Sequence, residues 1–248
     1  MAKNNADIFI CTHKDFNKIV SNPIYQVADN RLFSDKYKIF GKLGDIELSE
    51  LYTYFFLEEY AKLKKYVGFC HYRRYYSFLD DVPNFDEIFK EYDVITVKPI
   101  QFGFPCIEQY ASCHNVEDVL ILGNVIKEHF KDYYDAFQKF FNGDIFIPCN
   151  MVIMKKNDFK KYVKFLKEVL KEFCWVYGIE PEQKVLDNKE KYLKEFYPNN
   201  TVEYQRRTFA FLMERLTNIF IIKNFKNIKT YDVIVTEDKY FNDKEQTE

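Results

Sequence analysis

The chain predicts an α/β fold with one mostly parallel central sheet flanked by helices, and three observations carry that expectation. Asp7-Ile8-Phe9-Ile10-Cys11-Thr12 is an apolar strand that runs straight into the polar turn His13-Lys14-Asp15, a common opening for nucleotide-binding α/β units. Leu48, Leu51, Tyr52 and Phe55 fall at i, i+3, i+4 and i+7, so one apolar helical stripe leads into the short buried strand around Val67 and Phe69. A short helix and the β-branched strand Tyr92 to Val97 follow, and strand, helix, strand at this spacing argues for parallel winding.

The remaining elements follow in order. Residues 21–45 contain Asn22-Pro23, Asp29-Asn30 and two glycines, and read as loop with short extended pieces such as Tyr37 to Phe40. Asp45 caps the helix that follows, and Glu47 and Glu50 lie in its first turn, where the helix dipole favours negative charge. That accounts for both glutamates structurally. Phe78 to Pro83 is a turn and Phe85 to Glu91 a short helix, while Lys98 to Pro105 is a Gly/Pro loop whose Phe102 and Phe104 could cover a pocket. Residues 107–141 read as mostly helical, which would put His114 and Asp118 four apart on one face; a solvated face or an N-terminal cap is the alternative.

Ile145 to Met154 is the most apolar run, and Pro148 divides it into two strand pieces or a strand with a bulge. Asn150 then sits among apolar neighbours and needs a partner, either backbone or ligand. Asn157 caps a helix with the core stripe Phe159, Tyr162, Val163, Leu166, Val169 and Leu170, and a lysine-rich opposite face. Residues 178–200 read as a surface excursion, Glu203 to Ile222 as a long helix with one apolar side, and Tyr231 to Thr236 as a final strand. One domain is expected over residues 1–236, with a disordered charged tail at 237–248.

Composition narrows the function classes. A chain of 248 residues is long enough for one substantial core, and 19% aromatic content makes that core aromatic-rich. A net charge of −2 leaves no electrostatic footprint for nucleic acid, and no nucleic-acid partner is expected. Six scattered cysteines form no CxxC pair. Cys70-His71 and Cys113-His114 lack zinc spacing, so reduced thiols and no metal site are expected. The N-terminus has no apolar signal core, and Ile145 to Met154 is too short to cross a bilayer. A cytoplasmic protein is the expectation, and its lysine face would suit peripheral contact with the anionic cytoplasmic face of an inner membrane.

The stretch Tyr66 to Tyr76 is the candidate working centre, because the strand changes at once into His71-Tyr72-Arg73-Arg74. Ligands of open α/β sheets collect outside the carboxyl ends of strands. Only six of the 36 basic residues are arginine, and two stand side by side here. A guanidinium offers two parallel hydrogen bonds to a phosphate or carboxylate, which a lysine cannot match. The alternative is that both pair with surface carboxylates.

Four blocks in order, Cys11-Thr12-His13-Lys14, Ile46 to Ser49 with Gly68 to Tyr75, Asn150 to Lys156, and Phe211 to Leu216, resemble a bacterial family long catalogued as a domain of unknown function. It occurs in capsular and exopolysaccharide loci and includes galactofuranosyltransferases. The resemblance runs from about Ile8 to Ile222 and implies a GT-A-like α/β domain and a glycosyltransferase that uses a nucleotide-sugar donor and an oligosaccharide or lipid-linked glycan acceptor. His13 and Lys14 would lie near the nucleotide, His71, Tyr72, Arg73 and Arg74 at the diphosphate, and Asn150 near the donor sugar. Asp118, assisted by His114, is one candidate general base and Glu214 another. The helix after Glu47 departs from the family in reading Tyr52-Thr53-Tyr54-Phe55-Phe56 where tryptophans are usual, which leaves an acceptor or lid contact open. The place of the metal-binding Asp-X-Asp of many GT-A enzymes is taken here by His71-Tyr72-Arg73. No cofactor is therefore expected, although Asp80 and Asp81 offer a manganese or magnesium alternative. Two rival classes share these residues: a non-catalytic nucleotide-sugar or glycan-binding subunit, and a phosphoryl-group transferase acting on capsule sugars.

Overall fold

The computed structural model of the chain describes residues 5–34, 48–177 and 208–236. The expectations for Tyr37 to Phe40, the Asp45 cap, the excursion at 178–200 and the tail at 237–248 fall outside the described residues. In chain order the elements are β1 (Ala6–Thr12), β2 (Tyr25–Asp29), α1 (Asn30–Ser34), α2 (Leu51–Tyr60), β3 (Tyr66–His71), β4 (Arg74–Tyr76), α3 (Phe85–Glu91) and β5 (Val94–Val97). They continue with β6 (Ile100–Gln101), α4 (Cys106–Cys113), α5 (Glu117–His129), a 3-10 turn (Lys131–Tyr133), α6 (Tyr134–Asn142), β7 (Ile145–Phe146) and β8 (Val152–Lys155). The last four are α7 (Lys156–Tyr177), α8 (Thr208–Asn224), β9 (Ile228–Tyr231) and β10 (Val233–Val235).

The central sheet runs β2-β1-β3-β8-β5-β9, with β4 and β10 extending it beyond the end of β3. β1 is parallel to β2 and β3, and β5 is parallel to β9. β8 is antiparallel to both β3 and β5, so it alone opposes the direction shared by the other five strands of that row. The sheet is thus mostly parallel and flanked by helices. The β3-α3-β5 crossover is parallel as expected, but β8 enters between its two strands.

β2 was not anticipated. Its sequence, Tyr25-Gln26-Val27-Ala28-Asp29, has only Tyr25 and Ala28 buried, so it lacks the apolar run of an inner strand, and pairing with β1 makes it a strand. The 145–154 run does divide at Pro148, into β7 and β8. α7 starts at Lys156 directly after β8, one residue ahead of the expected cap at Asn157.

Phe69 shows how the aromatic content is used. Its ring lies 4.0 Å from Tyr54 on α2, 5.3 Å from Phe159 on α7 and 5.9 Å from Phe9 on β1. One residue earlier the sheet tolerates no side chain. Gly68 is paired with Ile8 on one side and Ile153 on the other, and a Cβ there would come within 2.7 Å of Ile153 Cγ1.

α8 departs from its expected one-sided pattern. Every residue from Thr208 to Ile221 is buried except Glu214, which makes it a central helix covered on all faces. The lysine face of α7 is electrically mixed: Lys167 pairs with Glu58 at 2.9 Å, Lys161 with Asp158 at 3.6 Å and Lys164 with Glu168 at 3.8 Å. That pattern fits a solvated face better than a uniform positive surface for a membrane. Among the described residues no helix is long and apolar enough to cross a bilayer.

Gly68→Ala is expected to lower stability by about 1–3 kcal/mol, as overpacking does. The denaturation midpoint measures this, and Ile153→Ala should cost less in that variant than in the parent, because it makes room for the methyl. A second expectation concerns acid. Asp80 is held below the usual carboxylate range chiefly by the backbone N–H of Asn22, Asp93 by those of Asn227 and Lys226, and Asp29 by Arg31. A depressed folded value means stability that is complete above the unfolded value, about pH 4, and lost as pH falls through the lower folded value. Between about pH 6 and pH 2.5, the unfolding free energy should fall more steeply for the parent than for an Asp80→Asn/Asp93→Asn variant.

Candidate functional site

β1 and β3 are parallel neighbours, so their carboxyl ends deliver two polar turns to one edge of the sheet. The Tyr72 N–H donates to the Cys11 carbonyl at 3.2 Å and keeps the chains together past the strand ends. β3 and β4 are joined through a single bridge, His71 to Arg74, which leaves Tyr72 and Arg73 at the tip of a tight hairpin. The Tyr72 ring is buried beneath this edge and organises it. His13 meets the ring edge-on at 5.4 Å, Lys14 Nζ lies 5.3 Å from its centroid, and the Arg73 guanidinium lies 5.0 Å away. Thr12 stiffens the β1 turn, because its hydroxyl accepts from the Lys14 N–H at 3.2 Å and donates to the Lys14 carbonyl at 2.5 Å. On the other flank, Arg31 holds Asp29 at 2.6 Å and Asp15 at 2.8 Å. Asp29 at the end of β2 is close enough to His13 for a charge on that ring to lower its pKa.

The second half of the site is the turn at Cys149 and Asn150. Both residues have left-handed backbones, φ 69° and 52°, a conformation that costs an ordinary residue about 1–2 kcal/mol. α8 holds this turn in place. Glu214 Oε1 accepts from the Cys149 N–H at 3.0 Å. Asn218, one helical turn on, accepts from the Ile147 N–H at 2.8 Å and donates to the Ile147 carbonyl at 2.9 Å. Thr217, which shares a hydrogen bond with the Tyr162 hydroxyl at 2.6 Å, lies 2.7 Å from Asn150 Oδ1. The Tyr54 hydroxyl donates to the Asn150 carbonyl at 3.1 Å.

Held this way, the turn faces β3. The Cys149 carbonyl lies 2.5 Å from His71 Nε2. A carbonyl only accepts, so Nε2 carries the proton. Asn150 Nδ2 donates to Glu50 Oε1 at 3.2 Å, and the same oxygen is 3.9 Å from His71 Nε2. The Cys149 thiol is pushed up to about 11 by burial, while Arg74 pulls it down and Glu214 and Glu50 push it up. All three charges therefore gather around this residue, and the thiol stays protonated at neutral pH. Asn150, given two alternatives by the sequence, has protein partners on its amide and its carbonyl.

The two adjacent arginines do different things. Arg73, like Lys14, lies over Tyr72, and Arg74 acts on the Cys149 turn. Glu214 is half-buried and already engaged: its Oε2 pairs with Arg215 at 3.0 Å. That guanidinium lies 5.0 Å from the rings of both Tyr110 and Phe146 and also donates to Gln109 at 2.8 Å. Arg207, the other expected neighbour of Glu214, lies outside the described residues.

His114 and Asp118 do not share a helix face. α4 ends at Cys113, His114 is extended (φ −141°, ψ 170°), and α5 begins at Glu117 with the Asn115 side chain accepting from the Glu117 N–H at 3.0 Å. Capping is thus what this segment does. His114 is stacked on Phe211 at 3.8 Å. Asp118 is 0% exposed and accepts from the Tyr110 hydroxyl at 3.3 Å. A general base must come within hydrogen-bond reach of the hydroxyl it deprotonates, and the hydroxyl that Asp118 meets here is that of Tyr110. Asp118 is better placed as a buried structural acid. Asp80 is also committed elsewhere: it accepts from the backbone N–H of Ser21 at 2.9 Å and of Asn22 at 2.8 Å. Among the described residues no three His, Cys, Asp or Glu side chains are grouped to hold a metal ion.

Glu50 is the residue that sequence reasoning passed over. Its position at the start of α2 fitted a helix-dipole role, and its approach to Asn150, a hundred residues away, has no local sign.

This architecture is a fold shared with a solved glycosyltransferase. The structure of the bifunctional glycosyltransferase WbbM in its apo form superposes with a TM-score of 0.67 at 18% identity, covering 95% of this chain and 46% of that one. The chain spans about half the length of that protein. It belongs to the family described as a domain of unknown function, DUF4422, whose model matches residues 45–227. A search of curated proteins finds no match.

Asn218→Ala should leave the buried N–H and carbonyl of Ile147 without partners, at about 1–3 kcal/mol for each unsatisfied group. It should also loosen the Cys149 carbonyl from His71. Thermal unfolding reads the first effect, and the ¹⁵N shifts of the His71 ring, moving away from an Nε2-protonated form, read the second.

Proposed function

We propose that the chain is a glycosyltransferase that moves a sugar from a nucleoside diphosphate donor to a glycan acceptor. The observation that carries this reading is the pair of cations, Lys14 and Arg73, held over one buried tyrosine at the carboxyl edge of parallel strands. The residue before that tyrosine, His71, meets a turn flanked by two carboxylates, Glu50 and Glu214. Cations fixed in advance offset the charge that develops on a leaving diphosphate and need no reorganisation during the reaction. Lys14 and Arg73 take the diphosphate, His13 with Asp29 borders the nucleotide, and Asn150 lies beside the donor sugar.

Glu50 is the base in this reading. Its Oε1 is fixed by Asn150, its side chain keeps 15% exposure, and no arginine is paired with it among the described residues. Glu214, by contrast, is held between a backbone N–H and Arg215, so its role is to position the turn. Arginine and lysine at the diphosphate support a metal-independent reaction, and the family resemblance supports a capsular or surface polysaccharide as the product.

A thermal-shift panel of nucleotide sugars identifies the donor, since a ligand at 100 times its Kd stabilises by about 2.7 kcal/mol. Arg73→Lys keeps the charge but loses the forked contact, and should weaken donor binding about tenfold or more. Glu50→Gln should bind donor normally and lose at least about a hundredfold in turnover, whereas Asp118→Asn should turn over within a few-fold of the parent. Activity should survive EDTA. Parent-like turnover by Glu50→Gln would remove the base assignment, and donor binding with neither transfer nor hydrolysis would favour a non-catalytic binding subunit.

A further inference from the structure

A cavity of about 420 Å³ lies at the far half of the sheet, between the ends of β5 and β9 and the helices α6 and α8. That volume is within the roughly 300–1,000 Å³ usual for small-molecule sites. Its walls are mainly hydrocarbon: Phe140, Ile145, Ile147, Ile221, Ile222 and Ile228. Ile145 and Ile228 remain 57% and 37% exposed at its rim.

The polar groups on these walls are largely committed to other partners. The Thr96 hydroxyl donates to the Val97 carbonyl at 3.0 Å, Asn218 brackets Ile147, and Asp144 accepts from Gln101 at 2.9 Å. A sugar or nucleobase buried here would lose its hydrogen bonds to water and find too few replacements. Lys139 and Asp144 are the one cation and the one anion among the lining residues, and Lys139 makes no ion pair with any described carboxylate, Asp144 included. Hydrocarbon walls with a cation that no described carboxylate pairs are complementary to a hydrocarbon body whose one anion meets Lys139 rather than the carboxylate of Asp144.

We infer that this cavity binds the hydrocarbon body of a single-chain amphiphile whose anionic head, a phosphate or carboxylate, meets Lys139. The site is additional to the sugar-transfer centre and does not depend on it. The two do share a wall. Ile147 and Asn218 line the cavity on one side, and through Glu214 and Cys149 the same segment supports the turn at His71 on the other. A chain lodged in the cavity therefore presses on the element that shapes the transfer site.

The test uses the full chain labelled at isoleucine δ1 methyls, because five isoleucines line the cavity. The probes are dodecyl phosphate below its micelle concentration, dodecanol and inorganic phosphate. Dodecyl phosphate is expected to shift the methyls of Ile145, Ile147, Ile221, Ile222 and Ile228. Dodecanol should do the same about tenfold more weakly, since it lacks the charge-assisted contact, and inorganic phosphate should shift none. Lys139→Gln should bring dodecyl phosphate down to the dodecanol affinity. Ile222→Trp should fill the cavity and abolish the shifts, with Thr230→Phe as a second filling variant if the first does not fold. Unmoved methyls with dodecyl phosphate, the same shifts from inorganic phosphate, or undiminished binding in a folded cavity-filled variant would each overturn the inference. None of these readouts requires transferase activity, so they leave the proposed function untouched.

Discussion

The attachment of the Cys149–Asn150 turn to α8 is the constraint on which the rest of the site depends. Two left-handed residues in succession are unfavourable for side chains other than glycine. They persist here because Glu214, Thr217 and Asn218, on consecutive turns of one helix, meet the N–H of Cys149, the side chain of Asn150 and both backbone groups of Ile147. Without that support the Cys149 carbonyl has no reason to face His71, and Asn150 has no reason to face Glu50. The strain is local, and its compensation comes from a helix more than sixty residues later.

α8 can do this because it is buried on all sides. A helix surrounded by apolar groups keeps its polar side chains only where each finds a partner. Arg215 finds Glu214, Gln109 and two aromatic rings, and Asn218 finds a peptide unit. Glu214 is the single position with access to the site, yet its two oxygens are spoken for. The helix is thus a support, and in the proposed function the reacting groups come from β1, β3 and the start of α2.

The sheet edge divides into two chemical halves. Toward β2 and β1 lie cations and carboxylates arranged around Tyr72, and toward β5 and β9 lies a hydrocarbon cavity. The insertion of antiparallel β8 between β3 and β5 produces this division, because the segment that leads into β8 crosses the carboxyl edge and walls one half from the other. The same Pro148 that stops the 145–154 run from being one strand lets that wall turn.

Periodic burial made most of the fold legible. Alternating and helical apolar patterns, the Gly/Pro breaks and the proline at 148 decide local conformation through a few neighbouring residues, so β1, β3, β5, α3 and α7 could be read directly. The abrupt change from Phe69 to Arg74 marked the cationic edge for the same reason. Partnership could not be read. Whether a glutamate is a helix-dipole residue or a base depends on what lies within about 3 Å in space, and Glu50 meets Asn150 only because β3 and β8 pair. The helical spacing of His114 and Asp118 suggested a dyad, but a break at His114, filled by packing on Phe211, turned one inward with the other. β2 becomes a strand only by pairing with β1, and the antiparallel placement of β8 between β3 and β5 has no local sign. Sequence thus determined most of the elements and the cation-bearing edge, since both rest on short-range preferences. Tertiary structure decided which partners each carboxylate meets, Asn150 for Glu50 and Arg215 for Glu214, because that depends on how the elements pack.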